Sequence, residues 1–214
     1  MPKTTPMKQN TAPAPCDRED LPRELTRQAR RLQDRFRTAY LLRDAVGWTA
    51  LDVDLERADR RDGTDTARNL LNHERGNERA EELDLMAEQL HRLRSGVETV
   101  AGALKEESEE SGAQTRKGLA EDLRRIAGQL RGLYHRAGTV RAALRREHAV
   151  AFLREAKAPN AGEPATVEAQ DVRAEAESPP AVKLLGTFTG ALFDDAEWIE
   201  DLAGCLEETK QAAA

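Results

Sequence analysis

The groups through which this 214-residue chain could do chemistry are four histidines, two cysteines and 39 acidic side chains. The best-spaced pair is Glu88 and His91, one Glu-x-x-His step that sets a carboxylate and an imidazole on one helix face. A di-iron bundle site needs that step twice. His73, His135 and His148 do not supply it, since Leu70, Gly132 and Arg145 stand three residues before them. Glu88 has a simpler partner in Arg92, four residues on, which leaves His91 exposed beside a surface ion pair. His73-Glu74 has Asn77 where a helical zinc motif needs its second histidine, and Gly112 to Gly118 lacks the Gly-Lys-Ser/Thr ending of a phosphate loop. The expectation is a non-enzymatic protein with no catalytic residue, no metal and no cofactor.

Nucleic acid is the next chemistry to weigh. Arg68, Asn69, Asn72 and His73 are side chains able to read bases or phosphates, and they would share a short helix over 65–75. With Gly47, a helix over 49–61 opened by a capping-box-like Thr49–Asp52 pair and an Asp62-Gly63 turn, residues 40–75 could form a helix-turn-helix-like region. A DNA reader normally has a basic footprint, whereas acids are no fewer than bases across residues 49–77, and the whole chain carries a net charge of −6. A DNA-associated regulator of antitoxin type, with an acidic partner-binding tail, is therefore the alternative reading.

The leading reading is a protein-protein interaction or assembly protein that docks through its C-terminal segment. Over residues 181–210, Phe188, Leu192, Phe193, Trp198, Ile199, Leu202 and Leu206 give an amphipathic helix one apolar face. Trp198 is a large anchor of the kind that helix-in-groove ligands use. Asp194 could cap the second half of this segment, with Glu197 at the third position. The partner is another protein, or a second copy in a homodimer; folding back as a fourth helix is the competing outcome. The pattern Gly-x-Phe followed by Asp-Asp-x-x-Trp, from Gly186 to Trp198, resembles tails of small bacterial proteins, antitoxins among them, and defines no family.

These groups need a scaffold, and the spacing of apolar residues specifies one. Leu83, Met86, Leu90, Leu93, Val97, Val100 and Leu104 alternate in steps of three and four, and so do Leu119, Leu123, Ile126, Leu130, Leu133, Ala137, Val140 and Leu144. A sustained 3.5-residue period means helices packed along a seam. Folded back as an antiparallel hairpin, the two runs pair with a constant index sum, from Leu104 with Leu119 to Leu83 with Val140, and all seven layers are apolar on both sides. The next layers would set Arg79 against Leu144 and Gly76 against Glu147, predicting a kink or break near Gly76. Small residues flank the seam (Ala87, Gly96, Ala101 and Ala103 before the tip, Ala120, Ala127 and Ala143 after it) and leave room for another helix.

An N-terminal helix over 21–46, with Pro22 in its first turn and Gly47 as a left-handed stop, supplies that neighbour. Its apolar stripe is Leu21, Leu25, Ala29, Leu32, Phe36 and Ala39 or Tyr40. The expected fold is all-α: an elongated three- or four-helix bundle on a long hairpin, 78–107 and 114–156. Residues 1–16 should be disordered and 158–180, rich in Pro, Ala and Glu, should be a flexible linker. With 34% charged and 39% apolar residues the helices must be narrow-striped rather than thickly cored.

Charge is unevenly placed. Residues 78–113 carry 10 acids and 4 bases (net −6), 114–157 carry 11 bases and 4 acids (net +7), and 158–214 carry 12 acids and 3 bases (net −9). The first two balance within a hairpin, so the Arg-rich faces should be solvated or paired, and the acidic tail is left over. Cys16 and Cys205 can form neither a disulfide framework nor a metal site, which suits reduced thiols in a cytoplasm. The longest apolar stretch, Ala181 to Phe193, is interrupted by Lys183 and too short to be a transmembrane segment.

Overall fold

The computed structural model describes residues 20–58, 65–106, 112–157 and 179–208, with side-chain surroundings for 20–46, 78–106, 115–150 and 179–207. The fold is all-α, as expected. Four helices follow in order among the described residues: α1 Leu21–Ala58, α2 Asp65–Glu106, α3 Gly112–Lys157 and α4 Pro180–Glu208. The expected disorder of 1–16 and the linker lie outside the described residues, as does the hairpin tip at 107–111.

Side-chain pairs fix the directions. Gln33 meets Arg94, Phe36 meets His91 and Arg43 meets Asp84, and the two numbers of each pair sum to 127, so α1 and α2 run antiparallel. In the α2–α3 hairpin Arg136 bonds both Glu82 and Gln89, and a Cβ on Gly96 would stand 3.1 Å from Ile126 Cδ1. Both contacts fit the register expected from the seam. Tyr134 against Phe193 and Arg141 against Gly186 both sum to 327, making α3 and α4 antiparallel as well. Arg35 with Asp195 and Arg31 with Trp198 close the ring between α1 and α4. The result is an up-down-up-down four-helix bundle.

The hairpin is not the tightest pair. Backbones approach most closely between α1 and α2 and between α3 and α4. Small residues explain this: buried Ala87 and Ala101 lie on the flank of α2 that also carries Asp84, His91 and Arg94, the residues touching α1. Buried Ala120 and Ala127 occupy the corresponding flank of α3, beside Arg124, Arg131 and Tyr134, which touch α4.

Several expected punctuation marks are not used. α1 continues through Gly47 and through the Thr49–Asp52 capping box, and α2 is unbroken through Gly76 and Asn77. No glycine among the described residues has positive φ. A glycine inside a helix costs about 1 kcal/mol, too little by itself to end a rod of this length. The layer that seemed to forbid continuation is solved by reach: Arg79 extends along α3 past Leu144 and hydrogen-bonds Glu147. Separate helices over 49–61 and 65–75 therefore do not exist. α4 likewise runs unbroken past Asp194, which is exposed and caps nothing; its start is set by Pro180, while the Pro179 carbonyl accepts from the N–H groups of Val182 and Lys183 at 3.0 and 3.2 Å.

Of the expected stripe on α1, Leu21, Leu25, Ala29, Leu32 and Ala39 are buried as expected, and the core row takes in more than that stripe. Spaced alternately by four and three, it reads Leu21, Leu25, Gln28, Leu32, Arg35, Ala39, Leu42 and Val46, and all but Arg35 are buried. Phe36 and Tyr40, placed in the stripe by their size, are only partly buried and stack edge-to-face at 4.9 Å. The row on α4 has the same spacing and one polar member, Asp195. Among the described residues, the buried members of the facing rows of α2 and α3 are all apolar.

Candidate functional site

The α1–α4 seam concentrates what is chemically unusual in this bundle. Arg35 donates from Nε to Asp195 Oδ2 at 2.8 Å, with the aspartate side chain 2% exposed and the arginine 28%. Two turns earlier on the same row of α1, Gln28 is 1% exposed, and neither amide atom has a hydrogen-bond partner. Thr189 on α4 is buried too, but its hydroxyl donates to the Leu185 carbonyl of its own helix at 2.6 Å. Burying a carboxylate is costly unless a cation accompanies it, so Arg35 and Asp195 specify each other. They specify register as well, because sliding α4 by one heptad would leave both without a partner.

Ion pairs line the rim on the α3 side. Arg124 grips both carboxylate oxygens of Glu207 at 2.7 Å, and Arg131 bonds Glu197 at 2.8 Å and Glu200 at 3.4 Å. On the α1 side the Arg31 guanidinium lies 5.4 Å from the centre of the Trp198 ring. Each exposed pair contributes little by itself; together they set sign complementarity between a basic seat and an acidic helix. The leftover acidic charge of the tail is thus used within the chain, alongside local pairs such as Arg27–Glu24 and Arg125–Asp122, both at 2.8 Å.

Of the seven residues expected to dock on a partner, Phe188, Leu192, Ile199, Leu202 and Leu206 are buried in the chain's own core. Of the two outcomes weighed for this face, the chain has the fold-back one: the face is filled by α1 and α3, because its period and charge match theirs. Trp198 is partly buried, and Phe193 is 44% exposed with its ring 5.6 Å from that of Tyr134. Arg68, Asn69, Asn72 and His73 lie on α2, and their side chains fall outside the described residues. The separate short helices on which a helix-turn-helix depends are absorbed into α1 and α2.

Glu88 and Arg92 form the expected surface pair at 3.2 Å, and His91 is exposed. Among the described residues no group of three or more His, Cys, Asp or Glu could hold a metal ion, and no helix there is long and apolar enough to cross a membrane. A groove of about 410 Å³ runs along α2 and α3, lined by Leu85, Glu88, Gln89, Arg92, Gln129 and Arg136. Arg92 and Arg136 already bond Glu88, Glu82 and Gln89, so both of its cations are committed to partners within the bundle.

Two expected outcomes follow from this polar architecture. Gln28→Leu removes two buried, unpartnered amide atoms at little change in volume, and should raise stability by about 1–3 kcal/mol, read as a higher urea midpoint at unchanged slope. A fall in the midpoint would contradict the placement of Gln28 in the core row.

The second concerns pH. Hydrogen bonds from Arg124 hold the Glu207 carboxyl below the ordinary carboxylate range, and burial, opposed by Glu147 and assisted by Arg79, lowers His148. Both groups bind protons more readily in the unfolded chain, so each contributes stability above its unfolded pKa and loses it as pH falls through its folded value. The thermal midpoint should begin to drop below about 6.5, the ordinary histidine value, and again below about 4.5, the ordinary glutamate value. His148→Gln should remove the first step and Glu207→Gln should weaken the second. An undiminished first step in His148→Gln would contradict the assignment.

The polar core residues not anticipated are Gln28, Arg35 and Asp195. Their signal was present in the unbroken four-three spacing, which passes through them on both helices. Protein-family models, curated proteins and solved structures offer no match to this chain.

Proposed function

We propose that this chain is a non-enzymatic interaction and assembly protein, in which α1 and α3 form a seat for an acidic amphipathic helix. Its own α4 is the ligand that defines the seat's chemistry. What carries this reading is the Arg35–Asp195 pair: a buried polar contact between the α1 seat and the α4 helix, bordered by cations on one side and carboxylates on the other. Simple core filling would not need it. Apolar burial supplies affinity, the polar pair supplies register and identity, and the rim supplies attraction at low salt.

The test uses the full-length Asp195→Arg protein, whose own α4 meets Arg35 with a like charge. A fluorescent peptide spanning 180–208 in its natural sequence should bind it with rising anisotropy, more weakly at high salt. The same peptide carrying Asp195→Arg should not. Failure of the natural peptide to bind at low salt would contradict the reading.

A further inference from the structure

We infer that α4 is exchanged between two copies of this chain, each helix filling the α1–α3 seat of its neighbour and contributing its Asp195 to the neighbour's Arg35. This deepens the seat reading above and rests on it; what it adds is the occupant.

Chain length gives the first argument. Arg141 lies over Gly186, so α4 begins level with about residue 147 of α3, while α3 runs on to Lys157. That overhang of ten residues is roughly 15 Å of helix. Antiparallel neighbours in a bundle are usually joined by about 2–8 residues, and here residues 158 to 179 provide 22. Twenty-two residues can reach at most roughly 75 Å, which is enough to place α4 on a second bundle lying alongside. The connection is much longer than return to its own bundle requires.

Identity gives the second. An arbitrary amphipathic helix placed on the seat would leave Arg35 facing an apolar side chain, and only a helix with a carboxylate at the position of Asp195 answers it. A second copy carries that carboxylate, the same rim acids Glu197, Glu200 and Glu207, and the same register. Every contact of the closed chain is reproduced in the exchanged pair, so the two differ only in their connections and in mass action. Charge favours the encounter, since residues 114–157 carry a net of +7 and residues 158–214 a net of −9.

Gln28 gives the third. A buried amide with no partner weakens the closed core at the row facing α4. That makes release of the helix easier than it would be from a seam whose buried rows are apolar, as in α2–α3.

Two charge-reversed full-length chains test the exchange. In Arg35→Asp the seat and its helix are both acidic, and in Asp195→Arg both are basic at that point, so neither matches itself. Only mutual exchange matches every pair: the helix of the first fits the seat of the second, and the reverse. Mixing them should give a 1:1 heterodimer as the main species by native mass spectrometry, with a thermal midpoint above that of either chain alone. A mixture that remains the sum of its components would overturn the proposal.

Should either variant fail to fold, unlabelled and nitrogen-15-labelled wild-type chains, mixed and held just below the thermal midpoint, provide the second measurement. A dimer of intermediate mass is expected, and its absence would overturn the proposal equally. The peptide experiment separates the two readings. A peptide that binds while chains never mix leaves the seat standing and removes the exchange, whereas a peptide that does not bind removes both.

Discussion

Arg35→Leu is expected to destabilise the protein by about 3–5 kcal/mol, the usual consequence of stranding one charge of a buried pair. Asp195 is the member with no access to water, its side chain being 2% exposed against 28% for Arg35. Loss of the guanidinium therefore leaves a carboxylate among Leu192, Ala196 and Ile199, all of them buried. Asp195→Leu alone should cost less, because Arg35 can extend to solvent along its methylene stem. The double replacement should recover most of the loss or exceed the parent in stability, since well-packed apolar residues often match or outperform a buried ion pair. Urea unfolding of the four proteins reads this directly. Equal and additive losses for the single variants would mean that the two side chains do not depend on each other.

Leu90→Ala is the second large effect, with an expected loss of about 2–5 kcal/mol. Leu90 and Leu133, its partner in the hairpin register, are both fully buried, and removing one opens a cavity that rigid neighbours close only in part. Leu85→Ala, five residues earlier on the same helix and 53% exposed, should stay within about 0.5 kcal/mol. Because Leu90 and Leu133 share a layer, their double alanine variant should lose less than the sum of the singles. Leu90→Ala and Leu85→Ala of equal cost would mean that the rows of α2 are rotated from those described here.

The hairpin was legible in the sequence because Leu, Val, Ile and Met report a 3.5-residue period without interruption. The punctuation around it was less so. Gly47, Gly76 and the Thr49–Asp52 box are local signals of about 1 kcal/mol each, and α1 and α2 run through them unbroken. Arg79 was read as a clash with Leu144 because a layer diagram gives a side chain no length, whereas an arginine reaches the next turn. The core row of α1 was legible at Leu21, Leu25, Ala29, Leu32 and Ala39 and missed at its polar members: Phe36 and Tyr40 draw attention by size, and Gln28 and Arg35 look like interruptions.

For α4 the apolar face was legible, and its destination stayed open between a partner and the chain's own bundle. Phe188, Leu192, Ile199, Leu202 and Leu206 would show the same pattern whether they faced this bundle or another protein. Composition describes a face and is silent on what covers it. Asp195 carries the discriminating information, and only in combination with Arg35, a partner 160 residues away that no local pattern can indicate.

All of this depends on α4 lying antiparallel between α1 and α3 in one register. Through-space proton cross-peaks in a solution spectrum test that most directly, since the chain has only two Tyr, two Trp and four Phe rings to assign. The rings of Tyr134 and Phe193, with centroids 5.6 Å apart, should cross-relax, as should the Trp198 indole and the side chain of Arg31. A folded protein in which both sets are absent, or in which Tyr134 meets α4 a heptad away from Phe193, would contradict the account.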